Sequence, residues 1–265
     1  MTVYACLKWV SHPSEPLDER FAGMSPADQS ALEFALRQGE RLGVGVTAIT
    51  VGPVGADRVL RDALACGATH AVRIDAPTTT AGVDVGLAIA DHVTDAQWVW
   101  CGDHSLDCGA GSVPAFIAAQ LGAQQALGVV AIDLVDDGVH ATRRLDGGRR
   151  EVLGVRSPAV VSVEGATAPL RRASLAALRS ATSATIEVRQ PTTPIHMMEF
   201  MVRPYRPRAR ALAAPAGETA LERLAVLTDA AAASAARGET VHLEPADAAA
   251  RIVRALRDWG HLPDA

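Results

Sequence analysis

A polar loop between a short apolar strand and an amphipathic helix is the stretch of this chain best suited to bind a ligand. Trp98–Cys101 is predicted to be a strand that ends at Gly102, Asp103–Gly111 a loop, and Ser112–Leu121 a helix. In a parallel sheet, the carboxyl end of a strand opens onto a crevice, and the next helix points its N-terminus there. The free N–H groups of that N-terminus favour a phosphate or another anion. An anion site is one interpretation, and a plain strand-loop-helix connection is the other.

The elements that would position this loop alternate between strand and helix. Val3–Val10, Val44–Val51 and His70–Ile74 are apolar runs, and segments with helical spacing separate them. This alternation predicts an α/β fold with a doubly wound, mostly parallel sheet. Beyond residue 124, four β-rich runs between residues 128 and 163 are separated by the turn signals DDG and DGG, which predict added antiparallel strands.

Composition excludes several classes of protein. The 265 residues carry a net charge of −5, so the basic footprint of a nucleic-acid-binding protein is absent. No apolar run approaches the roughly 18 residues that a membrane span needs, and the N-terminus lacks the pattern of a signal peptide. We therefore expect a cytoplasmic protein without membrane insertion. The four cysteines form no CxxC pair, and no metal site is expected.

The chain is predicted to divide into two parts at residue 190. Residues 1–190 would form a nucleotide-binding α/β domain. Residues 191–265 would form an extended arm and C-terminal helices that pack on a partner subunit. Prolines and arginines dominate the first part of this segment and argue against an independent core, so a disordered linker is the alternative. The last predicted helix, Pro245–Trp259, carries an apolar stripe that needs a surface to cover it.

Four motifs in a fixed order resemble the β subunit of the electron transfer flavoproteins. They are MSPADQSALEFALR (24–37), ALACGATHAVRI (63–74), CGDHSLDCGAGSVPAFIAAQLGAQ (101–124) and DGGRREVLGVRSPAVVSV (146–163), the last followed by RRASLAAL. The resemblance covers about residues 1–190 and the closing helix. A fainter similarity points to the β subunits associated with mycofactocin redox systems. The resemblance implies a sheet of the adenine-nucleotide α-hydrolase type.

The resemblance also implies the function, the cofactors and the partners. A β subunit pairs with a homologous α subunit and shuttles electrons from flavin-linked dehydrogenases to a quinone reductase or another acceptor, without bond-making catalysis of its own. FAD would be held mainly by the α subunit, and the β cleft would hold AMP or a second FAD. The alternative is a stand-alone adenine-nucleotide-binding module of the stress or sensor type. An ATP-dependent ligase is disfavoured because no SGGxDS-like loop follows the first strand.

Candidate site residues follow from the positions that match the family's motifs. The implied cofactor-binding residues are Cys6, Ser25, Asp28, Val51, Gly102, Asp103, His104, Ser105, Asp107, Gly109, Gly111, Ser112 and Val113. Three polar residues of the family's loop are replaced here by Gly109, Ala110 and Ser112, so backbone N–H groups are expected to bind the phosphate. Cys6 is equally compatible with a buried strand position, and Ser25 with simple helix capping.

Two further residues are implied to bind a partner. Leu175 matches the leucine of the family's recognition loop, which inserts into a pocket of the partner dehydrogenase, and Arg171 precedes it. A core leucine of a short helix is the alternative for Leu175, and a solvated charge is the alternative for Arg171.

Overall fold

The computed structural model describes residues 2–10, 22–196, 214–228 and 241–262. Residues 1–201 and 202–265 form two compact units. The strands are β1 (Val3–Cys6), β2 (Val46–Gly52), β3 (His70–Asp75), β4 (Trp98–Gly102), β5 (Gln124–Val135), β6 (Gly138–Arg144), β7 (Arg150–Val155), β8 (Ala159–Val163) and β9 (Glu187–Arg189). The helices are α1 (Pro26–Leu42), α2 (Asp57–Cys66), α3 (Gly82–His92), α4 (Val113–Leu121), α5 (Leu175–Thr182), α6 (Ala220–Leu227) and α7 (Pro245–Asp258).

The first unit is built on one nine-stranded sheet in the order β7-β6-β5-β8-β4-β1-β2-β3-β9. The seven neighbouring strands β5, β8, β4, β1, β2, β3 and β9 all pair in parallel. At one edge, β6 pairs with β5 and β7 pairs with β6 in antiparallel fashion. The buried residues of α1 and α2 pack on one face of the sheet, and those of α3 and α4 pack on the other. The predicted α/β class with a doubly wound, mostly parallel sheet is confirmed.

The central strands bring two strand ends to the same edge of the sheet. Cys6 of β1 is the register partner of Cys101 of β4, and Ile49 of β2 lies on the other side of Cys6. The prediction that the first strand extends to Val10 was wrong, because regular pairing stops at Cys6. The N–H of Lys8 donates to the Asp28 carboxylate at 3.1 Å instead of to a neighbouring strand. This side-chain bond turns the chain away from the sheet.

A glycine bulge explains the second difference from the prediction. The strand predicted from Gly128 begins four residues earlier, so β5 pairs with β8 in its first part and with β6 in its second. The register shifts between Ala126 and Val129, and Gly128 takes the left-handed conformation at φ 66° there. Its N–H donates to the Ser162 hydroxyl at 3.0 Å, so the bulged backbone keeps a partner.

The first residues of the predicted arm lie on α3. The N–H of His196 donates to the Asp84 carboxylate at 2.6 Å, and the carbonyl of His196 accepts the N–H of Ala81 at 2.9 Å. The Thr192 hydroxyl contacts the Asp91 carboxylate of the same helix. Residues 192–196 are thus bound to the first unit. The predicted domain boundary at residue 190 stays a prediction.

The second unit contains α6 and α7. The sequence also predicts a helix over 219–237; α6 forms its first part, and residues 229–237 lie outside the described residues. On α7 the predicted apolar stripe is solvent-exposed, with Trp259 just past the helix end at 71% exposure. Across the described ranges, the structure contains no helix of the length and apolarity that crossing a membrane requires.

Candidate functional site

A cleft of about 420 Å³ opens at the carboxyl ends of β1, β2 and β4. This volume lies within the range of roughly 300–1,000 Å³ that is usual for small-molecule sites. Nine of the predicted cofactor-binding residues line it, namely Cys6, Asp28, Val51, Gly102, His104, Ser105, Gly111, Ser112 and Val113. Ser25, Asp103, Asp107 and Gly109 are not among the lining residues.

Sequence reasoning missed the apolar walls of the cleft. They come from the segment after β1, from the end of β2, from the turn before α3, and from α3 and α4. The residues are Leu7, Trp9, Pro53, Pro77, Val83, Val85, Ile89, Pro114 and Phe116. Walls of this kind suit a flat apolar group such as an aromatic base. A signal was present in the sequence, because the helix predicted at 83–93 also follows a parallel strand.

Asp28 lies in the floor of the cleft, between the ends of β1 and β4. Its carboxylate accepts the N–H of Lys8 at 3.1 Å and a backbone bond from Gly102. A Cβ at position 102 would lie 2.6 Å from Asp28 Oδ1, so glycine permits this close approach. Burial raises the pKa of Asp28 to about 6, although the bonds from Lys8, Ser25 and Gly102 act in the opposite direction. Asp28 therefore joins the two strand ends. The Ser25 hydroxyl caps α1 by accepting the N–H of Asp28 at 3.0 Å.

The loop Asp103–Gly111 is folded by its own backbone. The N–H of Ser105 donates to the carbonyl of Ala110 at 3.0 Å, and the N–H of Gly109 donates to the carbonyl of Ser105 at 2.8 Å. Gly109 takes the left-handed conformation at φ 62°. A Cβ on Gly111 would lie 2.2 Å from the carbonyl oxygen of Asp103, so only glycine fits there. Gly109 and Gly111 thus give the loop its shape.

The charged side chains of the loop pair with one another or with Lys8. Lys8 Nζ lies 2.7 Å from Asp107 Oδ1, a contact between residues 99 positions apart in the sequence. Burial alone would raise the pKa of Asp107, but the hydrogen bond and charge of Lys8 outweigh it and the pKa is lowered. His104 Nδ1 lies 2.9 Å from Asp103 Oδ1. The cation nearest the cleft floor is therefore already neutralised.

Helix N-termini supply the remaining positive potential. The first turns of α1, α3 and α4 all contribute residues to the cleft. Asp28 and Asp84 place a carboxylate in the first turns of α1 and α3, which offsets the positive ends of those helix dipoles. The first turn of α4 contains no acidic residue, and its N-cap Ser112 makes no side-chain capping bond. An anion in this cleft is therefore favoured at the start of α4.

No group of three or more metal-ligating side chains occurs among the described residues.

Comparison with known proteins then identifies the family. The profile of the electron transfer flavoprotein domain matches residues 18–194, which is two thirds of the chain. The chain belongs to the electron transfer flavoprotein family.

Curated relatives agree with this assignment. Protein FixA of Bradyrhizobium diazoefficiens is 33% identical over 171 residues, covering 60% of this chain and 59% of FixA. The electron transfer flavoprotein β subunit of Dictyostelium discoideum is 27% identical over 63% of this chain and 68% of the relative. The β subunit of Thermoanaerobacterium thermosaccharolyticum is 32% identical over 52% of this chain and 55% of the relative. The chain thus matches between about half and two thirds of the length of these relatives.

The residues that the electron transfer flavoprotein resemblance assigns to partner binding differ in environment. Leu175 begins α5 and is 74% exposed, so the alternative of a core leucine was wrong. The N–H and Nε of Arg171 each donate to Glu33 Oε2 at 3.0 Å, and Nη1 contacts Glu40. The guanidinium of Arg171 is therefore engaged within the chain rather than simply solvated, and its assignment to partner binding stays a prediction.

Proposed function

We propose that this chain is the β subunit of a heterodimeric electron transfer flavoprotein. Its partner would be an α subunit, and the pair would carry electrons from a flavin-linked dehydrogenase to a quinone reductase or another acceptor. The observation that carries the proposal is the match to the family over two thirds of the chain, together with a ligand-sized cleft built from the matching motifs. The role is that of an electron carrier without bond-making catalysis. The expected cytoplasmic location stays a prediction.

The residues of the cleft fit an adenine nucleotide with a single phosphate. The apolar walls, including Trp9, Pro53 and Phe116, suit the base. The start of α4 suits one phosphate, because backbone N–H groups and an uncompensated helix dipole meet there. Lys8 is the one lysine or arginine among the described residues that line the cleft, and it is already paired with Asp107, so these residues offer no free cation to a longer phosphate chain. AMP is therefore the occupant that we favour over a second FAD.

The heterodimer's FAD would be held mainly by the α subunit. When bound, a flavin accepts and donates the electrons, and the protein tunes its potential through nearby charges and dipoles. Among the described residues, α5, α6 and α7 all expose large apolar side chains that could contact other proteins. We assign Leu175 of α5 to the dehydrogenase and the apolar stripe of α7 to the α subunit.

Co-expression with an electron transfer flavoprotein α subunit from the same genome tests the proposal. We expect a 1:1 complex with one flavin and one released AMP per heterodimer, measured by gel filtration, flavin absorbance and chromatography of the acid extract. Two flavins per heterodimer would contradict the assignment of AMP to the cleft. No flavin and no stable complex would favour a stand-alone nucleotide-binding module.

A substitution at the start of α4 tests where the phosphate binds. Ser112→Asp adds a negative charge at the start of α4, where it also complements the helix dipole, so the helix should be no less stable. We expect AMP affinity to fall at least tenfold, because two charges about 4 Å apart repel by up to about 4 kcal/mol near a protein surface. Ser174→Asp is the matched control, since Ser174 caps α5 by accepting the Ala177 N–H at 3.1 Å. Equal AMP affinity in both variants would contradict the phosphate site.

Truncation after His196 tests the role of the arm. It removes residues 197–265 and keeps the contacts of His196 with Asp84 and Ala81, so the hydrogen bonds described between residues 2–10 and 22–196 are retained. We expect the truncated chain to lose the α subunit on gel filtration while its circular dichroism remains that of a folded α/β domain. Undiminished heterodimer formation would refute the assignment of the arm to the α subunit.

A further inference from the structure

Two cysteines face each other in the floor of the cleft. Cys6 ends β1, Cys101 lies at the corresponding position of β4, and the two strands are parallel neighbours. Register partners in a parallel pair project to the same face of a sheet, and both thiols belong to the apolar cluster on the α3–α4 face. Both also line the cleft, although each is buried, at 8% and 4% exposure. A small molecule can therefore reach this pair only through the cleft.

We propose that Cys6 and Cys101 form a reversible dithiol–disulfide site in the floor of the cleft, with a small-molecule disulfide as the oxidant. Neighbouring strands lie about 4.8 Å apart, which falls inside the Cα separation of roughly 4.4–6.8 Å that disulfides span. The cleft, at about 420 Å³, gives one end of a small-molecule disulfide access to the two thiols. The proposal does not depend on which nucleotide, if any, the cleft binds.

The reaction is thiol–disulfide exchange in two balanced steps. One protein thiol loses its proton and attacks a sulfur of the small disulfide, which forms a mixed disulfide and expels one thiolate. The second protein thiol then loses its proton, attacks the protein sulfur of the mixed disulfide and expels the other thiolate. The protein dithiol is oxidised by two electrons, and the small disulfide is reduced to two thiols.

The geometry makes the resulting bond easy to reverse. A disulfide needs its two Cβ atoms about 3.8 Å apart, closer than the strand spacing, so the ends of β1 and β4 must move together by roughly 1 Å. Strained disulfides are the readily reduced ones. Lys8, two residues after Cys6, and Gly102, directly after Cys101, are the residues whose backbone binds Asp28. Oxidation would therefore reshape the floor on which a cleft ligand rests.

Oxidation of the purified full chain with oxidised glutathione tests the proposal. Contact with the Cys6 thiol, and then burial, raise the pKa of the Cys101 thiol, so the reaction is run at about pH 8.5 to supply thiolate. We expect the Cys6 and Cys101 thiols to be lost together, and a peptide pair joined through Cys6 and Cys101 with a mass about 2 Da below that of the reduced pair; the exposed Cys108 thiol reacts separately, as a mixed disulfide with glutathione. Reduced glutathione in excess should restore both thiols without unfolding the protein.

The two remaining cysteines supply matched controls. Cys66 ends α2 away from the cleft, and Cys108 is exposed in the loop at its rim. The double variant Cys66→Ser/Cys108→Ser should form the same disulfide. Cys101→Ala should form no disulfide between Cys6 and another cysteine of the chain, and where Cys6 is the attacking thiol it should stop at the mixed disulfide with glutathione. The disulfide-linked peptide pair can be identified in the wild-type chain, so the test still stands if a variant fails to fold. Modification confined to Cys108, a link between Cys108 and either buried cysteine, or an unreacted pair at saturating oxidised glutathione would overturn the proposal.

Discussion

Asp28 should stabilise the folded chain more in mild acid than at neutral pH. Burial in the cleft floor raises the pKa of Asp28 from 3.8 to about 6. Because the folded state then binds this proton more tightly than the unfolded state, the stabilising contribution is complete below about pH 4. It is lost as the pH rises through about 6. This is the reverse of the behaviour of a salt-bridged carboxylate.

The size of the effect follows from the two pKa values. Their difference corresponds to roughly 3 kcal/mol in full, of which about 1.4 kcal/mol separates pH 5 from pH 8. Asp28→Asn removes this titration. The amide oxygen can still accept the N–H of Lys8, but the NH₂ group faces a second backbone donor at Gly102. That mismatch costs about 1–3 kcal/mol at every pH. The diagnostic quantity is therefore the change with pH.

Urea unfolding at several pH values measures this change. We expect the difference in unfolding free energy between wild type and Asp28→Asn to increase by about 1.4 kcal/mol from pH 8 to pH 5, in favour of wild type. Asp133→Asn removes a carboxylate that is exposed on β5 and controls for the loss of one charge. A difference that stays constant, or that shrinks toward pH 5, would refute the argument that burial dominates the energetics of Asp28.

Two further substitutions probe the loop and the α1 network. Gly111→Ala forces a Cβ against the Asp103 carbonyl, so we expect AMP retention to fall at least tenfold with little change in the urea midpoint, and full retention would contradict a backbone-shaped site. Arg171→Gln leaves the buried Glu33 carboxylate without its main partner and should cost about 1–3 kcal/mol at pH 7. The pKa of Glu33 is lowered despite its burial, so the stability lost in Arg171→Gln should shrink as the pH falls below about 4.5. A loss of stability that does not depend on pH would contradict the role of Arg171 as the partner of ionised Glu33.

Local signals in the sequence predicted the elements of the fold. Ser25, Pro26 and Gly43 bound α1 as a cap, a first-turn proline and a left-handed C-terminal glycine. The alternation of such helices with apolar strands was enough to predict a parallel sheet, and the DDG and DGG turns predicted the antiparallel strands. Each of these signals acts over a few residues, which is why they could be read without the structure.

Contacts between distant residues could not be read in this way. The early end of β1 depends on a bond from Lys8 to Asp28, which sits on the next helix. The pairing of Lys8 with Asp107 joins residues 99 apart, and that of Arg171 with Glu33 joins residues 138 apart. Family motifs supplied the types of residue at the site. They could not show which charges are already neutralised within the chain.

The loop departs from the family pattern at Gly109, Ala110 and Ser112, and two features of its backbone compensate for these changes. Its shape depends on backbone bonds between residues 105 and 110, which the departing side chains do not make. Its attraction for an anion depends on the uncapped start of α4, which a glutamine or threonine side chain would supplement but not create. Binding energy in this cleft should therefore be concentrated in backbone N–H groups and apolar contact. Under the proposed function, such a site would hold a small occupant with one phosphate and would give little advantage to an occupant with more charge.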